Sequence, residues 1–138
     1  MGTMEPLVVS ALVLVRDRRL LMVTARGRDV LYLPGGKREA GETGEDALAR
    51  ETREEVGLEL DPASVRELTT VSTQAHGEPD GRLVHMTLYA AEPLSSSPPA
   101  TPSAEVGSLH WVTTADADRC PPAGVETLRV VAGLGLID

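Results

Sequence analysis

Phenylalanine is missing from this sequence, and one Trp and two Tyr are its only aromatic residues. So few rings leave few ways to stack on a flat ligand. Tyr32, Tyr89 and Trp111 are the candidates, with apolar side chains such as Met86 able to take that role. Trp111 itself reads as core. Cysteine is nearly absent as well. Cys120 stands alone, so no internal disulfide can form and a reducing cytoplasm is the expected compartment. Nothing around Cys120 marks it as a nucleophile. Positive charge is also scarce, with 13 Lys and Arg against 21 Asp and Glu and a formal net charge of −8. That balance excludes a nucleic-acid binder working through a broad basic face. It leaves room for a small anionic substrate, because bound divalent cations can invert the local field. Long apolar runs are lacking too. Leu7 to Val15 is too short to span a bilayer. It has no basic leader or small-residue cleavage site, so neither a signal peptide nor a membrane partner is expected.

The 138 residues fit one domain, 1–138, around one core. Leu7 to Val15 reads as a buried strand, and Leu20 to Thr24 returns as its hairpin partner across the polar turn Arg16 to Arg19. Val30 to Leu33 is a short strand stopped by Pro34-Gly35-Gly36, where glycines permit close main-chain approach to a ligand. Thr43 to Val56 reads as a helix. Thr43 is its N-cap, Asp46 completes a capping box, and Gly57 is its stop. Val65 to Gln74 and Arg82 to Ala91 read as strands around a turn at His76 to Gly81. Pro93 to Ala104 reads as a mobile surface loop. Ser108 to Val112 is a last strand and Pro122 to Leu134 a last helix. Strands and helices in this order suggest a mixed sheet between helices.

The chemistry is concentrated between residues 36 and 58. Gly36 is followed after five residues by Glu42, and seven further on come Arg50 and Glu51, then Glu54, Glu55, Gly57 and Leu58. Positions 51, 54 and 55 are three and four residues apart, so their carboxylates share one helical face and repel. A helix built for solubility alone would interleave opposite charges. The cluster makes sense against cations, since carboxylate oxygens are the ligands that hard Mg²⁺ prefers. Seven fixed identities at set positions would arise by chance on the order of 10⁻⁸ times per starting point, which sets the solvated-helix reading aside.

These residues resemble the Nudix box, G-x5-E-x7-R-E-U-x-E-E-x-G-U with U a bulky aliphatic residue. Here Thr52 stands where an aliphatic is usual. The resemblance extends more loosely through Leu33-Pro34-Gly35-Gly36 and the late Trp111-Val112 strand. It implies a Nudix fold of the α/β class, an α/β/α sandwich around a mixed β-sheet. It implies a Mg²⁺-dependent hydrolase, with Mn²⁺ able to substitute, that cuts a diphosphate linkage of a nucleotide by water attack on phosphorus. Carried over by position, Glu51, Glu54 and Glu55 are metal ligands and the Gly35 carbonyl is another. Arg50 orients a helix carboxylate, and Glu42 braces the loop or binds a metal through water. Glu105 lies six residues before Trp111, as a further Glu does in MutT-like members, and is nominated as extra ligand or base. The general base stays open among Glu51, Glu54, Glu55 and Glu105.

Arg26, Arg28, Lys37 and Arg82 flank this segment as candidates for phosphate contact, by guanidinium geometry for the arginines. Arg82 matches a substrate-contacting position in MutT-like enzymes, and Lys37 directly follows the glycine pair. His76, His85 and His110 are dispersed without ligand spacing, so no zinc site is expected. The MutT-like resemblance returns at Cys120-Pro121-Pro122-Ala123, but Gly124 stands where an Asn commonly reads oxidised guanine, which argues against selectivity for 8-oxo-dGTP. Three readings follow. The first is a (deoxy)nucleoside triphosphate pyrophosphohydrolase. The second is a hydrolase of nucleotide sugars or dinucleoside polyphosphates. The third is a Nudix-fold module that senses a nucleotide without cutting it, against which the full set of box carboxylates speaks. Members of the family are often dimers, and nothing in the sequence fixes the assembly.

Overall fold

The N-terminal apolar stretch does not run as one strand. In the computed structural model, which describes residues 4–138, strand β1 (Leu7–Val13) ends before Leu14, and β2 (Val15–Arg16) belongs to a different sheet. β2 turns back into β3 (Arg19–Ala25) through Asp17 and Arg18, both at positive φ (51° and 60°). That two-residue turn matches the twist of a hairpin but strains non-glycine residues. The C-terminus offsets the strain. Arg18 donates from Nε to Asp138 Oδ1 at 2.6 Å, and from Nη1 and Nη2 to the carbonyls of Gly135 and Ile137.

The remaining elements are β4 (Leu31–Tyr32), β5 (Gly35–Lys37), helix α1 (Gly44–Val56), β6 (Arg66–Gln74), β7 (Leu83–Ala90), β8 (Val106–Val112) and helix α2 (Pro122–Gly133). Short 3-10 turns at Pro62–Ser64 and Thr114–Arg119 were not visible in the residue pattern. One sheet has the order β5-β1-β7-β6 and is mixed, because β1 and β7 run parallel while the other pairs are antiparallel. The second is antiparallel and centred on β3, with β2 and β4 along one side and β8 along the other.

Strand alternation sorts the apolar side chains onto two faces. Ala11 and Val13 of β1, with Leu20 and Met22 of β3, pack with Leu128 and Val131 of α2. Leu12 and Leu14, with Leu21 and Val23, pack with Leu48 and Val56 of α1. Each helix thus covers its own face, giving the α/β/α arrangement that the Nudix resemblance implies. Trp111 departs from its expected place in the core: it is 42% exposed. Among the described residues β8 pairs only with β3, so a side chain on it lacks a neighbouring strand on one side.

Helix α1 carries the caps expected of it. Thr43 and Asp46 exchange side-chain and backbone hydrogen bonds of 3.0 Å, and Gly57 closes the helix at φ 69°, its N–H reaching the Arg53 carbonyl. Ser10 Oγ donates to the Gly44 carbonyl at 2.7 Å and ties the start of the helix to β1. The Ser- and Pro-rich stretch is tethered at the other end. The amides of Thr101 and Ser103 donate to the carbonyls of Val56 and Glu55, which the helix leaves unpaired at its last turn.

Candidate functional site

The glycine corner exists because two backbones and a carboxylate meet there. Gly35 pairs with Ala11 at φ 152°, and a Cβ on it would overlap the Ser10 carbonyl. A Cβ on Gly36 would fall on the Glu51 carboxylate. At Gly35 no side chain fits while β5 pairs with β1, and at Gly36 one fits only if the Glu51 carboxylate swings away from its place beside Arg50.

Arg50 organises the acids around this corner. Its Nε and Nη2 donate to the two carboxylate oxygens of Glu42 at 2.8 and 3.0 Å, and its Nη1 donates to Glu51 Oε1 at 2.8 Å. Nη2 also reaches the Lys37 carbonyl at 3.1 Å, fixing β5 to the helix. Glu54 stands 3.6 Å from the same guanidinium. Glu42 is thereby used as a brace: Arg50, then the Glu39 amide, hold its carboxyl well below the usual range, at about 2. The Arg50 guanidinium is held more firmly charged by Glu42 and then Glu51.

Glu55 behaves in the opposite way. Burial first, and then the charges of Glu51, Glu54 and Glu105, push its carboxyl up to about 7, against a hydrogen bond from the Gly35 amide at 3.0 Å. Glu105 therefore lies close enough to act on Glu55, although fifty residues separate them. It gets there because Ser103 is bonded to the end of α1, and because Arg26 grips the same turn. The Arg26 amide donates to the Glu105 carbonyl at 3.0 Å, and its Nε to the Ala104 carbonyl at 3.1 Å.

The carboxylates fit a hard divalent cation in their chemistry. All are oxygen donors, and one of them is partly buried beside three like charges, a state that a cation relieves. As they stand, Glu51 is turned to Arg50 and Glu55 to the Gly35 amide. Among the described residues no three acids, His or Cys are already gathered around one point. Each of Glu51 and Glu55 keeps a second oxygen without a hydrogen bond among the described residues.

Gly35, Glu55 and Glu105 line the edge of a cavity of about 460 Å³ whose walls are otherwise mostly apolar, among them Leu7, Val84 and Met86. That size and character suit a small organic ligand. Tyr32 and His76 line it as well, with ring centroids 6.1 Å apart and planes at 65°. Tyr89 is buried against α1 and Trp111 lies elsewhere, so Tyr32 is the only one of the three aromatic candidates on the cavity. His76 escapes sequence reasoning, because nothing local to a turn histidine shows that it meets a ring 44 positions away.

The basic candidates are not brought to the cavity. The Arg26 guanidinium is on the Glu105 turn. Arg82 is held by Glu78 at 2.7 Å and the Glu5 carbonyl at 3.2 Å, within the β6–β7 turn. Arg28 and Lys37 are exposed, and none of the four lines the cavity.

Residues 4–132 match the sequence pattern of the NUDIX domain. The chain belongs to the NUDIX domain family. A Mycobacterium tuberculosis protein named "Putative 8-oxo-dGTP diphosphatase 2" is 37% identical over 87 residues. That match takes in 63% of this Nudix chain and only 62% of the relative's length. Among solved structures, the E. coli ORF135 protein is 24% identical with a TM-score of 0.70, covering 96% of this chain and 92% of that one. A UDP-X diphosphatase is 18% identical with a TM-score of 0.74, covering 98% of this chain and 65% of that one. At these identities the solved structures establish the shared Nudix fold. No helix among the described residues is long and apolar enough to cross a membrane.

Proposed function

We propose that this Nudix domain is a Mg²⁺-dependent pyrophosphohydrolase that cuts (deoxy)nucleoside triphosphates into the monophosphate and pyrophosphate. The observation that carries this reading is the placement of Glu55 and Glu105 with Gly35 at the edge of an apolar cavity sized for a base and sugar, with Glu51 and Glu54 on the same helix close enough for their charges to act on Glu55. Glu51, Glu54, Glu55, Glu105 and the Gly35 carbonyl would hold the ions. Bound there, Mg²⁺ supplies charge neutralisation at the phosphates and a more acidic water.

The protein's own residues do the rest. Arg50 fixes the Glu51 carboxylate and ties it to Glu42, so the acids keep their spacing when the substrate arrives. The Gly35-Gly36 corner lets the triphosphate approach the main chain without a side chain in the way. Lys37, exposed directly after it, is the cation best placed to follow the phosphates outward. The water oxygen attacks phosphorus, the bridging P–O bond breaks, pyrophosphate leaves, and the water proton passes to one of the four carboxylates.

Support for nucleotide chemistry also comes from the 37% identical relative with a diphosphatase name. A hydrolase of nucleotide sugars is the second reading, favoured by the fold shared with a UDP-X diphosphatase. Purified protein with Mg²⁺ across nucleoside triphosphates, nucleotide sugars and dinucleoside polyphosphates separates the two. Glu54→Gln and Glu55→Gln are each expected to lower kcat by roughly a hundredfold or more with the fold retained. Near-normal turnover in both variants sinks the proposal.

A further inference from the structure

The cavity is almost bare of groups that could tell one base from another. The side chains of its walls are apolar apart from the acids at one edge, and apart from Gln74, Tyr32 and His76. Gln74 is already spent. Its amide nitrogen donates to the carbonyls of Ala75, Glu78 and Pro79, and its Oε1 accepts from the Gly81 amide at 2.8 Å. These bonds, with the Arg82–Glu78 ion pair and the Ala75–Arg82 backbone bond, tie down Gln74, Glu78 and Arg82 at the β6–β7 turn. One side chain of that turn reaches the cavity with no hydrogen bond among the described residues, and it is His76. The ring rests in T-shaped contact with Tyr32. It also lines a second cleft, formed with Asp29, Asp118 and Arg119, that contains none of Gly35, Glu55 and Glu105. His76 therefore stands where the cavity leaves the carboxylates behind.

We propose that His76, held by the braced turn and by Tyr32, is the specificity-determining residue that reads the edge of the substrate's base. This rests on the reading of the protein as a nucleotide hydrolase and names what selects the nucleotide. A neutral imidazole offers one donor and one acceptor on diverging sides of its ring, so one nitrogen can meet a single donor or acceptor of a base edge. A nearly apolar cavity cannot discriminate strongly among flat rings, whereas a fixed hydrogen-bonding group can. The turn that carries His76 is ordered by bonds that do not involve the ligand, so little ordering is left to do on binding.

The test uses the full chain and two variants, His76→Ala and His76→Gln. With Mg²⁺ and a panel of nucleoside triphosphates, His76→Ala is expected to lower kcat/KM for the best base by about tenfold, chiefly through KM, and to flatten the preference among bases. His76→Gln, which keeps a donor and an acceptor, retains more of that preference. His76 is exposed, so an unchanged melting temperature excludes misfolding as the cause. An equal loss for every base, or no loss, overturns the proposal. A second arm needs no cleavage. Nucleoside monophosphates titrated without metal should shift the imidazole and Tyr32 ring resonances, with an order of affinity that His76→Ala abolishes. If the rings do not respond, or the order survives, the proposal fails. If no nucleotide is cut but this order appears and is lost in the variant, the hydrolase reading fails and the role of His76 stands.

Discussion

Thr52 is fully buried on the inner face of α1, and its hydroxyl has no hydrogen-bond partner among the described residues. A buried, unpaired hydroxyl costs about 1–3 kcal/mol, and valine keeps its shape without it. Thr52→Val should stabilise the protein by about 1 kcal/mol and leave turnover unchanged. A thermal melt that shows no gain would mean the hydroxyl has found a partner. Glu42 is the opposite case, a charge with more partners than it needs. Its folded-state carboxyl sits near 2 against an ordinary 4.5. The stability it contributes is therefore present above 4.5 and is lost as pH falls from there towards 2. Glu42→Gln should destabilise the protein at neutral pH, and the gap from wild type should close across that window in denaturant titrations. A gap that does not change with pH would assign the loss to packing instead of charge.

Between residues and the whole fold stand the elements that carry the acids. Helix α1 was legible to within a residue because everything that makes it is local: an N-cap, an acid three positions on, apolar residues at a four-residue repeat and a terminal glycine. The strand facts were not legible in the same way. Whether Leu7 to Val15 is one strand or two depends on β7 and β3, which lie far along the chain, and β5 is a strand only because β1 is beside it. The Nudix box pattern could be read without the fold, since it lies on one helix and one corner. The position of Glu105 could be named from a spacing, but not how it is held. The turn that carries it includes Ala104 at φ 54°, and a Cβ on Gly107 would sit 2.9 Å from the Arg26 Cα. Arg26→Ala leaves the backbone bond and removes the side-chain one. If Glu105 works beside Glu55, this variant should lose about three- to tenfold in kcat with little change in melting temperature. Combined with Glu105→Gln it should lose no more than Glu105→Gln alone, because both act on one group. Losses that multiply would assign Arg26 a separate role, such as direct phosphate contact.

At the scale of the molecule, the excess of acids and the proposed chemistry make a joint demand on stability. A net charge of −8 works against the compact state, and part of that excess is concentrated where Glu51, Glu54 and Glu105 raise the energy of an ionised, partly buried Glu55. Any ion that binds these acids in the folded state alone raises stability by mass action, by about 2.7 kcal/mol at a hundred times its dissociation constant. Millimolar Mg²⁺ should therefore raise the melting temperature above that in EDTA, and by more than NaCl of equal ionic strength, which only screens. Glu55→Gln should be more stable than wild type in EDTA, since it removes a charge that burial and three neighbours disfavour, and it should lose most of the Mg²⁺ gain. Activity and metal-free stability then move in opposite directions at one position, as they do where a site is strained for function. An equal shift with NaCl, or an undiminished Mg²⁺ gain in Glu55→Gln, would place the cation elsewhere on this acidic surface and remove the physical basis for the proposed site.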